Sequence, residues 1–388
     1  MSLSSRGLAR LYDTLRRHVD GGACPGLVSV ISRRGETHVD VIGDVQRDTV
    51  FRVSSMTKPI TAALAMVLVE QGRLRLDDPV DELLPELADR RVLTSIDAPL
   101  DDTVKADRPI TVRDLLTFRL GWGGIFAPPG THPVQAAAAE LKLGLGDHPP
   151  RPAEPPEPDE WLRRFGTLPL LSQPGERWMY HAGSEVLGVL LARATGRTLG
   201  EAMREHLFEP LGMIDTGFHV PEHNLHRLRT SYGEGGQVFD PVDGQWSRPP
   251  AFEAGGGGLV ATADDYLAFA TMLLRNGKNG RDRILSRPSV ELMTTDHLTA
   301  EQHATDGFWP GFFGEYRGWG FGVQVVTKRD QLWATPGRYG WDGGLGTSWH
   351  NDPAEELTAV LMTQQTAFPL TSALYLDFWN GVYASLDD

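Results

Sequence analysis

Cysteine is almost missing from this chain. Cys24 stands alone among 388 residues, so no intrachain disulfide can form. That fits a reducing compartment and leaves Cys24 to be read as a small apolar residue. Long hydrophobic runs are missing as well. No stretch of about 18 apolar residues could cross a bilayer as a helix, and Met1-Ser-Leu-Ser-Ser-Arg-Gly7 lacks the apolar centre of a secretory signal. The expected location is therefore cytoplasmic, with no membrane partner. There is no basic stripe either. A net charge of −14 and an isoelectric point near 5.3 argue against nucleic acid as a partner. No His-Glu-x-x-His, no Cys/His cluster and no Gly-x-Ser-x-Gly elbow occurs, so neither a metal nor any other cofactor is expected.

Lysine is scarce, and that makes one lysine conspicuous. Only five of the 37 basic side chains are lysine, at positions 58, 105, 142, 278 and 328. Lys58 closes the segment Phe51-Arg-Val-Ser-Ser-Met-Thr-Lys58, which runs into an apolar stretch from Pro59 to Glu70 that is hydrophobic all round and predicts a buried helix. Ser55 lies three residues before Lys58, and no other serine in the chain has that neighbour. On a first helical turn the two side chains share a face. Free N–H groups at a helix start favour an oxyanion and disfavour a nearby ammonium, which is one way to activate a hydroxyl. The plainer alternative is a serine cap followed by a surface lysine. Where arginine is the habitual cation, a lysine is notable because only lysine can give up its proton in a protein.

Read in order, Leu8, Leu11, Tyr12, Leu15 and Val19 predict a first helix. Gly26 to Ser32 and Thr37 to Ile42 predict a hairpin across Arg34-Gly35. Shorter helical pieces follow near Val80 to Ala88 and Thr111 to Phe118, the latter opened by a capping-box spacing from Thr111 to Asp114. From Ala127 to Trp161 the proline density, above all from His148 to Pro158, forbids helix interiors and central strands, so this stretch is either a linker or a flap over the site. A helix then follows Tyr180 and stops at Gly196, and Thr262 caps another that runs towards Gly277. The four glycines from Gly255 to Gly258 lack the Gly-Lys-Ser/Thr of a phosphate cradle, so close backbone packing explains them better. Strands are expected at Trp319 to Thr327, Gln331 to Ala334, Gly343 to His350 and Leu357 to Gln364, then a helix from Leu370 to Leu386. Both ends of the chain would thus build one antiparallel sheet flanked by helices, an α+β arrangement with a mainly helical middle.

Four segments, in this order and spacing, resemble the penicillin-recognising serine hydrolases: Val53-Ser-Ser-Met-Thr-Lys-Pro59, Pro174-Gly-Glu-Arg-Trp-Met-Tyr180, Ala254-Gly-Gly-Gly-Gly-Leu-Val-Ala-Thr-Ala-Asp264 and Tyr339-Gly-Trp-Asp-Gly-Gly-Leu-Gly346. That group includes class C β-lactamases, D-Ala-D-Ala peptidases, family VIII carboxylesterases and related acyltransferases. The resemblance implies the β-lactamase/D-Ala-D-Ala peptidase-like fold in a single catalytic domain over 1–388, with an α/β part at 1–78 and 250–388 and a helical and loop part at 79–249. It implies Ser55 as acylated nucleophile, Lys58 and Tyr180 sharing the proton transfers, and an oxyanion hole from the Ser55 and Gly344 N–H groups, each such donor contributing about 3 kcal/mol. Either a neutral Lys58 or an ionised Tyr180 could be the base. The first requires the amine to drop by roughly 3 pH units, about 4 kcal/mol.

Two departures bear on the substrate. Tyr180-His181-Ala182 stands where β-lactamases carry Tyr-x-Asn, and Trp341-Asp342-Gly343 where they carry a cation, a hydroxyl residue and glycine. The usual carboxylate clamp is thereby lost, and Trp-x-Gly resembles the esterase branch. Trp341, Asp342, Gly343 and His181 are the expected substrate-binding positions, against the alternatives of a core tryptophan and solvent-facing Asp342 and His181. The expected partner is a small-molecule ester. The rival readings are an acyltransferase or amidase on the same machinery, a β-lactamase or peptidase, and a catalytically silent binding module.

Overall fold

The protein, known here from a computed structural model, is described over residues 3–145 and 149–387. His148, at which the Pro-rich stretch opens, lies outside the described residues. Seven strands form one antiparallel sheet in the order Arg317–Trp319, Gln324–Val326, Tyr339–Gly343, Thr347–Asp352, Leu357–Thr363, Gly26–Arg33 and Glu36–Gly43. The two ends of the chain meet where Leu357–Thr363 pairs with Gly26–Arg33. Both of these central strands are buried on both faces, which is why they read as unbroken apolar runs and not as alternation. Leu27, Ile31, Leu357, Ala359 and Leu361 point to one side, against the first and last helices, Ser5–Asp20 and Ala373–Tyr383. Val28, Val30, Val360 and Met362 point to the other, into the main core with helices Thr57–Glu70 and Ala263–Leu274.

This is the expected α+β architecture, an antiparallel sheet flanked by helices with a mainly helical region beside it. Helix Thr57–Glu70 is buried along almost its whole length and packs on Ala182–Thr195, which in turn meets Val112–Leu116. Thr111 and Asp114 form the expected capping box, and Gly196 ends its helix in the left-handed conformation. Among the described residues no helix is long and apolar enough to cross a membrane.

Several expectations need correction. Gln331 to Ala334 is not a strand. Its place beside Gln324–Val326 is taken by Tyr339–Gly343, and Trp333 and Ala334 instead join the cluster under the terminal helices. The strand expected from Trp319 to Thr327 is broken in two by a turn containing Gly322 at φ 70°. The one expected from Gly343 to His350 is a hairpin, since a turn through Gly346 at φ 101° separates Tyr339–Gly343 from Thr347–Asp352. Val80 to Ala88 makes two 3-10 turns, and the last helix starts at Ala373, past Pro369. The stretch from Ala127 to Trp161 is more than a linker. It carries helices Pro133–Glu140 and Pro158–Thr167, each begun by a proline where a missing N–H costs nothing, and it buries Val134, Leu143, Leu145 and Trp161.

Candidate active site

The turn Ser54–Met56 leads into helix Thr57–Glu70 and abuts strand Tyr339–Gly343. Ser54 is held at φ 46°, an uncommon conformation for a residue with a side chain and one found where surrounding structure over-determines it. That structure is visible. Tyr266 donates its hydroxyl proton to the Met56 carbonyl, Thr57 accepts from Leu259 N, and Thr347 donates to the Val53 carbonyl at 3.1 Å. Gly343 makes the close approach possible, because a Cβ there would stand 2.4 Å from Val53 O.

Lys58 is fully buried, with its Nζ 2.9 Å from Ser55 Oγ, 2.5 Å from the Gly256 carbonyl and 3.1 Å from His181 Nδ1. Burial pulls its pKa down to about 7, against a raising influence from Glu185. The glycine run explains how a carbonyl reaches it. A Cβ on Gly256 would stand 2.5 Å from Glu185 Oε1, so only glycine lets this chain pass between Lys58 and helix Ala182–Thr195.

Tyr180 is partly buried beside Lys58, its ring centroid 4.6 Å from the Nζ atom. Its hydroxyl accepts from the Trp341 indole at 2.7 Å. Burial pushes the phenol well above its ordinary value, and the influence of Ser55 and Trp341 only partly opposes it. Phe118, Trp178, Trp319 and Trp341 pack around it. Trp341 is thus a core aromatic and a working donor at once, and it lines the cavity.

The other expected substrate contacts divide. His181 does not point into solvent. Held at φ 82°, it sets Nδ1 towards Lys58 and Nε2 3.1 Å from Glu185 Oε1, a buried carboxylate one helical turn on. Burial and Lys58 lower its pKa against the opposing influence of Glu185, and the net lowering favours the neutral ring. Asp342 turns to the opposite face of its strand from Trp341, accepting from Ser348 Oγ and facing His350 Nε2 at 3.5 Å, so its carboxylate is not aimed at the nucleophile. Glu185 was missed in the sequence, although its spacing of four from His181 marks two side chains on one helical face.

Ser55, Tyr180, His181, Trp341 and Gly344 line a cavity of 460 Å³, and no described residue accepts from the Ser55 or Gly344 main-chain N–H. Its mouth carries Phe126, Trp309 and Phe368, each exposed by 40 % or more, above Phe308, which stacks on Trp341 at an interplanar angle of 8°. Pro149 and Pro150 form another part of the wall, which brings the Pro-rich stretch to the site. Pro149 also borders a larger cavity of 760 Å³ that holds none of the Ser55 group.

Comparison with known proteins places the chain in a family. A family model described as Beta-lactamase matches residues 11–376. Protein Rv1367c of Mycobacterium tuberculosis is 38% identical over 372 residues, covering 90% of this chain and 88% of that protein. Esterase EstB of Burkholderia gladioli is 30% identical over 393 residues, covering 92% and 91%. Among solved structures, EstCE1, described as a hydrolase with promiscuous acyltransferase activity, aligns with a TM-score of 0.78 at 25% identity over 97% of this chain and 99% of that one.

Proposed function

The chain belongs to the β-lactamase family, and from that premise we propose that it is a serine esterase that cleaves apolar carboxylic esters through an acyl-enzyme on Ser55. The observation that carries the reading is the 2.9 Å contact between Ser55 Oγ and a fully buried Lys58, at the floor of an aromatic cavity. A neutral Lys58 accepts the Ser55 proton as Oγ attacks the ester carbonyl. The Ser55 and Gly344 N–H groups take the oxyanion that forms, a contribution of about 3 kcal/mol per donor in comparable sites. Tyr180 passes its proton to the departing alkoxide and regains one from the Lys58 ammonium. Water then attacks the acyl carbonyl with the same groups working in reverse. Lys58 is favoured as the base over Tyr180 because burial brings the amine down to about 7 while driving the phenol up.

The substrate class rests on the walls. No cation stands at Trp341-Asp342-Gly343 to hold a carboxylate beside the scissile bond, whereas Phe126, Phe308, Trp309 and Phe368 offer apolar surface. Esterase EstB supports the hydrolase reading, and the acyltransferase activity of EstCE1 supports a second one in which an alcohol replaces water in deacylation.

Turnover of p-nitrophenyl butyrate beside a chromogenic cephalosporin, by wild type and Ser55→Ala, tests the proposal. Ester cleavage that vanishes in the variant, with slow lactam opening, is expected. Fast lactam opening with weak ester cleavage would overturn the substrate assignment. Undiminished ester cleavage by Ser55→Ala would overturn the nucleophile.

A further inference from the structure

Behind Trp341 lies a second cavity, of 350 Å³, which meets the catalytic one along Trp309, Asp342, Pro369 and Leu370. Its buried wall is rich in donors without acceptors. Arg338, 1% exposed, lines it, and none of its three guanidinium nitrogens meets an acceptor in hydrogen-bond geometry among the described residues. Gln324 Nε2 and Trp333 Nε1, in the same wall, are also buried without a partner. The guanidinium is held in place by two indoles, its carbon 4.8 Å from the Trp333 ring centroid and 4.2 Å from that of Trp379.

Burial lowers the Arg338 pKa, and Tyr383, Asp342 and Asp352 only partly oppose it. None of the three accepts from the guanidinium in hydrogen-bond geometry. Asp342 accepts from Ser348, and Asp352 from Tyr383 and from the Ala354 and Glu355 N–H groups. His350, pushed down to about 4 by burial, adds no charge. Arg317, which reaches the same cavity, is paired with Asp330. Buried polar groups in folded proteins nearly always have partners, and a guanidinium fork suits a planar anion with two oxygens. The rest of the lining is mixed: Trp309, Phe312, Leu370 and Leu376 give apolar surface, and Gln331, Asp342, His350, Thr371 and Asn380 give polar surface.

The geometry points to a binding site for the carboxylate of a small organic acid, its two oxygens on Arg338 and Gln324 and its apolar body on Trp309, Phe312 and Leu376. The anion clamp missing beside the scissile bond is replaced by one in the next cavity, on the far face of the same strand. The acid is either the distal end of an ester held at Ser55 or a separate molecule. The first source rests on the esterase reading; occupancy of the cavity does not.

Titration of the wild-type protein with 4-phenylbutyrate, followed by tryptophan fluorescence and thermal melting, tests the site. Saturable quenching and a raised Tm are expected, with uncharged 4-phenylbutyramide binding at least about tenfold more weakly. Arg338→Met should abolish the preference for the acid. Should that variant fail to fold, Thr371→Trp, on the cavity's exposed lining, should block the acid while p-nitrophenyl butyrate turnover stays within about twofold of wild type. Equal affinity for acid and amide, acid binding that survives both substitutions, or no binding at all would overturn the inference. Given binding, competitive inhibition of ester turnover assigns the acid to the substrate's distal end and noncompetitive inhibition to a separate ligand. Fluorophosphonate labelling of Ser55 in the same samples keeps the two proposals apart: labelled protein that ignores the acid defeats only the anion site, and unlabelled protein that binds it defeats only the nucleophile.

Discussion

A neutral Lys58 has two hydrogens and one lone pair, and it has three polar neighbours. The assignment that satisfies all of them gives the hydrogens to Gly256 O and His181 Nδ1 and leaves the lone pair for the Ser55 hydroxyl. His181 must then carry its proton on Nε2, towards Glu185, so the carboxylate fixes the tautomer that keeps the lysine in place. With a Lys58 pKa of about 7, kcat/KM for p-nitrophenyl butyrate should rise with pH through that value and level off above it. Glu185 favours the ammonium, so Glu185→Gln should move this limb to lower pH; an unmoved limb would mean that Glu185 only packs. Tyr180→Phe separates general-acid work from mere packing. A p-nitrophenolate leaves without needing a proton and an ethoxide does not, so kcat should fall by about 10²–10⁴-fold on ethyl butyrate and by clearly less on the p-nitrophenyl ester. Equal losses on both esters would deny Tyr180 that role. Ser55 and Lys58 were legible from their spacing and Tyr180 only from the family resemblance, and the structure brings the three side chains together. Phe308 and Phe368 were not legible, because what makes them site residues is a fold that brings distant segments to one rim.

Strand Tyr339–Gly343 does two jobs by alternation. Trp341 faces Tyr180, Asp342 faces Ser348 on the other side, and Gly343 lets the strand end lie against the Ser55 turn. A Cβ on Gly343 would stand 2.2 Å from Thr347 Oγ1 as well as close to Val53 O, so Gly343→Ala must push strand and turn apart. Overpacking of this kind typically costs about 1–3 kcal/mol, and it would shift the Gly344 N–H relative to Ser55. Activity should therefore drop more than tenfold while Tm falls only a few degrees, about what that energy buys in a chain of this length. Near-normal kcat/KM with the same Tm loss would show that the Gly344 N–H is not part of the oxyanion site. This strand also marks the limit of what the sequence made readable. Its sequence reads as a motif with a strand beginning only at Gly343, whereas pairing with Gln324–Val326 and Thr347–Asp352 makes it an interior strand of the sheet. By contrast Leu357–Thr363 and the hairpin of Gly26–Arg33 with Glu36–Gly43 were readable within a residue or two, because burial on both faces or a tight turn writes itself into local sequence.

At the scale of the whole chain, the sheet that carries Trp341 is closed by the two ends of the polypeptide. The last helix, Ala373–Tyr383, covers one face of it with Leu374, Tyr375, Phe378, Trp379 and Val382, all buried. Complete burial of such side chains is worth about 1.5–3 kcal/mol each, so the five together contribute roughly 8–15 kcal/mol as an upper estimate, comparable to the whole stability of a typical domain. The helix also donates the Trp379 indole to Ser348 Oγ and the Tyr383 hydroxyl to Asp352, two bonds into the strand beside Tyr339–Gly343. A chain cut before Ala373 keeps Ser55, Lys58, Tyr180 and every catalytic donor, yet it should show neither a cooperative thermal transition by circular dichroism nor fluorophosphonate labelling of Ser55. If the shortened chain melted cooperatively and still labelled, the core on the other face, built on helices Thr57–Glu70 and Ala263–Leu274, would be enough to hold the nucleophile, and the closure of the sheet by the chain's two ends would be a matter of stability alone.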